Sequence, residues 1–230
     1  MEYFTKVFIV AVKSILVFDH EVYFVVFTSL KISFASVIIA SMFCVPLGLL
    51  ISSRKFKGKV FLQSILNTLM ALPTVVVGLL LYGILGRNGP LGGFGLLYTS
   101  TAMIIGQCIL IAPVVLNLVV VAASSADPRI KLASMALGAD RYQRGIIFVG
   151  EIRFALIAAI VMAFGRAIGE VGIAMMVGGN IEGYTRTMTT AIALETSKGD
   201  FEFAMALGIL LLLIAFTVNF FLQRLQQFSK

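Results

Sequence analysis

Charge is scarce in this sequence: Asp, Glu, Lys and Arg make up 13% of its 230 residues, whereas 60% are hydrophobic. A soluble domain carries about a quarter charged residues, so a water-facing surface cannot be built from this composition. The mean hydropathy of +1.03 places the chain in a membrane. Cysteine is nearly absent, with only Cys44 and Cys108; this excludes a secreted disulfide scaffold, and each cysteine reads as a small packing residue inside an apolar run. A single histidine, His20, lies outside those runs, too far from membrane depth for a Ser–His or zinc-based hydrolase. The motifs G-x-x-x-x-G-K-[ST], H-E-x-x-H and G-x-S-x-G do not occur, which removes ATP hydrolysis and peptide or ester hydrolysis by those routes. The formal charge of +7 forms no basic stripe for nucleic acid, because the basic residues fall in the gaps between apolar runs. The reading is a protein that moves something, with no cofactor, no metal site and no catalytic residue of its own.

A bilayer-crossing helix needs roughly 20 mainly apolar residues. Ile32 to Ile51, Val60 to Leu85, Leu96 to Ala123 and Phe203 to Leu222 qualify without a charge, and Phe154 to Ile181 qualifies with Arg166 and Glu170 in mid-span. These runs are too long for strands, so the chain is predicted to be an all-α membrane protein with five transmembrane helices. Residues 1–18 hold an apolar stretch bounded by Lys6 and Lys13. They read as an interfacial segment, residues 1–21, with a short sixth span as the alternative.

Counting charges in alternate gaps sets the orientation. One face collects Arg54, Lys55, Lys57, Lys59, Arg129, Lys131, Arg141, Arg144, Arg153, Arg224 and Lys230 against Asp127, Asp140 and Glu151. The other face is close to neutral. The positive face is expected in the cytoplasm, with the C-terminus inside and the N-terminus outside, in a multi-pass protein of the cell membrane.

On the positive face, Ser124 to Arg153 is polar and reads as two short helices broken at Gly138. Asp127 and Pro128 suit the N-cap and first position of the first helix. Gly138 suits the residue that follows its end, and Asp140 can cap the next helix.

Arg166 and Glu170 are the sharpest polar feature. A charge at mid-membrane costs roughly 2.5–3.5 kcal/mol on insertion scales, so both residues should face protein or water. Their i, i+4 spacing allows a pair along one helix, which reads either as a structural lock or as a gate. Gly165, Gly169 and Gly172 form a small-residue stripe on that helix, inviting close packing. Pro73 and Pro113 can each open a local bend. On the outer side, Thr185, Arg186 and Thr187 offer hydroxyls and a guanidinium fork suited to an oxyanion, or form a solvated loop. Lys31 sits at the same outer mouth or snorkels.

The positive-face loop carries Leu132-Ala133-Ser134-Met135-Ala136-Leu137-Gly138, followed by Ala139 and Asp140. It resembles the E-A-A-x-x-x-G coupling loop of type I ABC importer permeases, with Leu132 where the family has glutamate. Thr28-Ser-Leu-Lys-Ile-Ser33, Arg54-Lys-Phe-Lys-Gly58, Leu72-Pro-Thr-Val-Val-Val-Gly78 and Gly86-Arg-Asn-Gly-Pro-Leu-Gly92 follow in order. With Gly165-Arg-Ala-Ile-Gly-Glu170 and Tyr184-Thr-Arg-Thr-Met188, they are similar to the molybdate/tungstate branch, most of all to tungstate-type permeases. The resemblance implies a permease domain over residues 22–230, with a coupling loop at about residues 125–152. It also implies a homodimer around a central pathway, two ABC ATPase subunits below and an extracytoplasmic oxyanion-binding protein above. The function it implies is import of a tetrahedral oxyanion, tungstate before molybdate. A secondary transporter using Arg166 and Glu170 as an ion relay, or a membrane scaffold, are the rival readings.

Overall fold

The computed structural model describes residues 20–54 and 56–227, with Thr5 and Ile9 before them. The interfacial segment expected over residues 1–18 therefore lies outside the described residues, apart from those two positions. Among the described residues every regular element is a helix.

The first, α1 (His20–Ser53), begins a dozen residues before the apolar run that announced it. At about 1.5 Å per residue its 34 residues extend ~51 Å, well beyond a hydrocarbon core of about 30 Å. One face of α1 is buried, through Ser29, Ser33, Ser36, Ala40, Cys44 and Gly48. This seam of small residues lies against α4 (Ser100–Ser124). Ser36 Oγ donates to Ile32 O at 2.8 Å, so its hydroxyl is satisfied inside the seam. A Cβ at Gly48 would come within 2.7 Å of Val119 Cγ1. Small residues let two membrane helices approach closely, and any larger side chain at Gly48 would push α1 away from α4.

Helix α4 is the most buried span and the hub of the bundle, packing against α1, α2, α3, α6 and α7. Thr99 caps it by accepting from Ala102 N. Pro113 lies within it without ending it.

The stretch Val60 to Leu85 is not the straight span its hydropathy suggests. It forms α2 (Lys59–Met70) and α3 (Thr74–Leu85), bent by 91°. The cause is local: Pro73 has no N–H to donate, and it disfavours helical geometry at Leu72. The last turn of α2 tightens, with Ala71 N donating to Thr68 O at 3.0 Å. Asn117 Nδ2 on α4 then holds α2 in place by donating to Asn67 Oδ1 at 2.8 Å.

After α5 (Pro128–Ala136), α6 runs from Arg141 to Ile168 and α7 from Gly172 to Gly178. The expected fifth span, Phe154 to Ile181, is thus broken at residues 169–171. Helices α8 (Met188–Lys198) and α9 (Phe201–Gln227) pack against each other. Four helices, α1, α4, α6 and α9, are long and apolar enough to cross a membrane, and the bent α2–α3 pair makes five if it counts as one span.

Candidate functional site

Two places on the fold gather the residues singled out by sequence: the turn between α5 and α6, and the break between α6 and α7.

At the turn, Asp127 accepts from Arg129 N and Pro128 opens α5. Leu137 N donates to Ala133 O and Ala139 N to Ser134 O, both at 3.0 Å, which closes the end of the helix. That reversal puts Gly138 at φ +75°, where a side chain is disfavoured. Asp140 then caps α6 by accepting from Gln143 N at 2.7 Å, and Gln143 Oε1 accepts from Asp140 N at 2.9 Å. The helix–turn–helix geometry is as expected, with one difference: the second helix is not short. It is the first part of α6 and continues unbroken to Ile168, so a push on the turn acts directly on a membrane span. Ser134 is buried, while Ala133, Ala136, Gly138 and Asp140 are exposed. Leu132 is 66% exposed, Met135 52% and Leu137 86%. This is an apolar knob without a cover among the described residues.

At the break, the i, i+4 pairing of Arg166 with Glu170 is absent, because α6 ends at Ile168 before the second residue is reached. Glu170 is only 5% exposed. Its Oε1 accepts from Ile173 N at 2.8 Å, holding the first turn of α7, and its carbonyl accepts from Thr189 Oγ1 at 2.7 Å. On the α6 side, Gln107 Nε2 donates to Ala167 O at 3.2 Å. Both ends of the break are therefore supplied with partners by neighbouring helices, as buried backbone groups require. Arg166 points elsewhere and is exposed.

The glycine stripe is divided by the same break. Gly172 sits against the start of α3, where a Cβ would meet Thr74 Oγ1 at 2.7 Å. A Cβ at Gly165 would meet nothing, and one at Gly169 only Gly165 O at 3.5 Å. Of the three, Gly172 alone packs against another element among the described residues.

The segment Thr185 to Thr190 is neither a solvated loop nor an open hydroxyl surface, since all six residues are buried. Thr185 Oγ1 donates to Gly178 O at 2.6 Å. Thr187 caps α8, with Thr190 completing the box, and Met188 N donates to Ser29 Oγ at 2.7 Å. Arg186 is 7% exposed and pairs with Glu21 at 2.9 Å and Glu182 at 3.4 Å. These side chains tie the start of α1 to α8 and the break. Lys31 is exposed on α1. The signals for the break were present in the sequence as Gly169 and Gly172 flanking Glu170, but the length of the largely apolar run around them read as a single span.

Residues 44–229 match the family of binding-protein-dependent transport system inner membrane components. The chain belongs to that family. A tungstate uptake system permease protein of Peptoclostridium acidaminophilum is 40% identical to it over 99% of this chain and 100% of its own length. One from Campylobacter jejuni is 43% identical over 75% and 72%. Among solved structures, an amino acid ABC transporter described as a complex with histidines superposes with a TM-score of 0.67 at 16% identity, covering 93% of this chain and 96% of that one; this likeness concerns the fold. As a permease of this family, the chain is a multi-pass inner-membrane transport component and not an enzyme. Permeases of this family act with an ATPase and with a substrate-binding protein.

Proposed function

We propose that the chain is the membrane subunit of an ATP-driven importer for tungstate. The observation that carries this reading is the 40% identity with a tungstate permease over the full length of both chains. Residues 22–230 form the permease domain, and two copies enclose the pathway. An ATPase subunit docks on each copy at the exposed knob of Leu132, Met135 and Leu137, within the coupling loop of residues 125–152. That loop lies on the cytoplasmic face with the C-terminus, and the binding protein delivers the oxyanion from the side of the N-terminus.

The mechanism follows from the turn. ATP binds more tightly to one arrangement of the ATPase pair, and this differential affinity drives the equilibrium between two arrangements of the permease. Because α6 continues from the turn without interruption, closure of the ATPases moves α6 as a lever, and access alternates between outside and inside. Gly138 and Asp140 set the angle of the lever by fixing the reversal and the start of α6.

The test is the ATPase activity of this chain purified with the ATPase encoded beside it. The neighbouring binding protein is added preloaded with tungstate, molybdate, sulfate or phosphate. Stimulation by the tungstate-loaded form is expected. Stimulation by the molybdate-loaded form alone would reassign the substrate to an ion of the same charge and shape, and failure of any ATPase to copurify would overturn the importer reading.

A further inference from the structure

Arg166 lies in the last turn of α6, where the helix dipole favours a cation but supplies no counter-ion. Its side chain is exposed and makes no ion pair or hydrogen bond with any described residue. The one acid in the same apolar stretch, Glu170, is buried and engaged with Ile173 N. Met162, Gly165, Arg166 and Gly169 are all exposed, and their spacing puts them on one stripe of the helix. A bare guanidinium on an apolar helix is not stable against lipid, so this stripe faces water or a polar group that the described residues do not supply.

We propose that Arg166 faces the substrate pathway and pairs with the translocating oxyanion at membrane depth, one guanidinium coming from each of two copies. The proposal rests on the oxyanion-importer reading above and names the side chain that meets the ion. A planar guanidinium fork matches two oxygens of a tetrahedral oxyanion. In a two-fold dimer a residue that lines the axis is presented from both sides, so two such guanidiniums would set two positive charges around a divalent anion. Gly165 and Gly169 leave the ground beside the fork open. A cavity of about 300 Å³ next to it, walled by Met162, Phe164, Ala215 and Val218, offers no competing acid.

The experiment uses the complex of permease, ATPase and binding protein in proteoliposomes. Arg166→Gln is expected to lower tungstate uptake about tenfold or more, as loss of a charge-assisted contact does, while the complex still assembles. Arg166→Lys should keep more uptake than Arg166→Gln. In a Cys44→Ala, Cys108→Ala background, Arg166→Cys should react with the anionic reagent 2-sulfonatoethyl methanethiosulfonate during ATP turnover. Uptake by Arg166→Gln within about twofold of wild type, or no labelling of Arg166→Cys at any stage of the cycle, would overturn the proposal. If the wild-type complex carries no oxyanion yet Arg166→Cys is labelled, the substrate reading falls and the water-facing position of Arg166 stands.

Discussion

Glu170 and Arg166 show how one residue's neighbours decide its work. They are four positions apart in an apolar run, yet Glu170 is folded inward onto Ile173 N while Arg166 is left outward and unpaired. The relay that a paired arginine and glutamate would form is absent, because the helix ends between them. The role of Glu170 as a brace has a consequence for stability. Glu170→Ala leaves a buried N–H without its acceptor and should lower stability by about 1–3 kcal/mol, read as a fall in melting temperature of the detergent-solubilised protein. Glu170→Gln keeps an acceptor oxygen at the same reach and should recover most of that loss. Equal melting temperatures for Glu170→Ala and wild type would show that the brace contributes nothing.

At the scale of elements, the turn between α5 and α6 is the part proposed to join the membrane span to its ATPase. Gly138→Asp places a charged side chain at φ +75° and on the surface offered to the ATPase. No atom crowds that position within the chain, so insertion and folding should survive, whereas uptake per ATP hydrolysed should fall about tenfold or more. Uptake at the wild-type ratio would place the coupling surface elsewhere. The same turn was legible in the sequence because capping chemistry is local: Asp127, Pro128, Gly138 and Asp140 each act on residues within a few positions. The breaks were not legible in the same way. Pro73 announced a bend but not one of 91°, whose size depends on α2 being held by Asn117 of α4. Pro113 has the same chemistry but ends nothing, since α4 is clamped by neighbours along its length. The second break hid inside a run long and apolar enough to be read as one span, with Arg166 and Glu170 read as a pair along a continuous helix and not as flanking its end. Thr185, Arg186 and Thr187 misled for a related reason. Their polar atoms suggested an open surface, but they serve backbone groups and Glu21 brought from distant parts of the chain.

At the scale of the whole molecule, α4 is the fixed centre, and α1 is bound to it through a seam of small residues. The outer faces of α1 and α9 carry exposed large apolar side chains, among them Phe27, Phe34, Met42, Phe43, Leu212 and Phe216, as surfaces meeting lipid or another membrane chain do. Helix α6 crosses this frame from the exposed turn to Arg166, linking the proposed ATPase-docking turn to the side chain proposed to meet the oxyanion. ATP must drive that link for the chain to act as an importer subunit. The most direct measurement is tungstate accumulation in proteoliposomes holding the complete complex, with ATP enclosed on the ATPase side and the loaded binding protein on the other. Accumulation against a gradient that stops when ATP is replaced by a non-hydrolysable analogue is the predicted result. Tungstate entry at the same rate without ATP would contradict it.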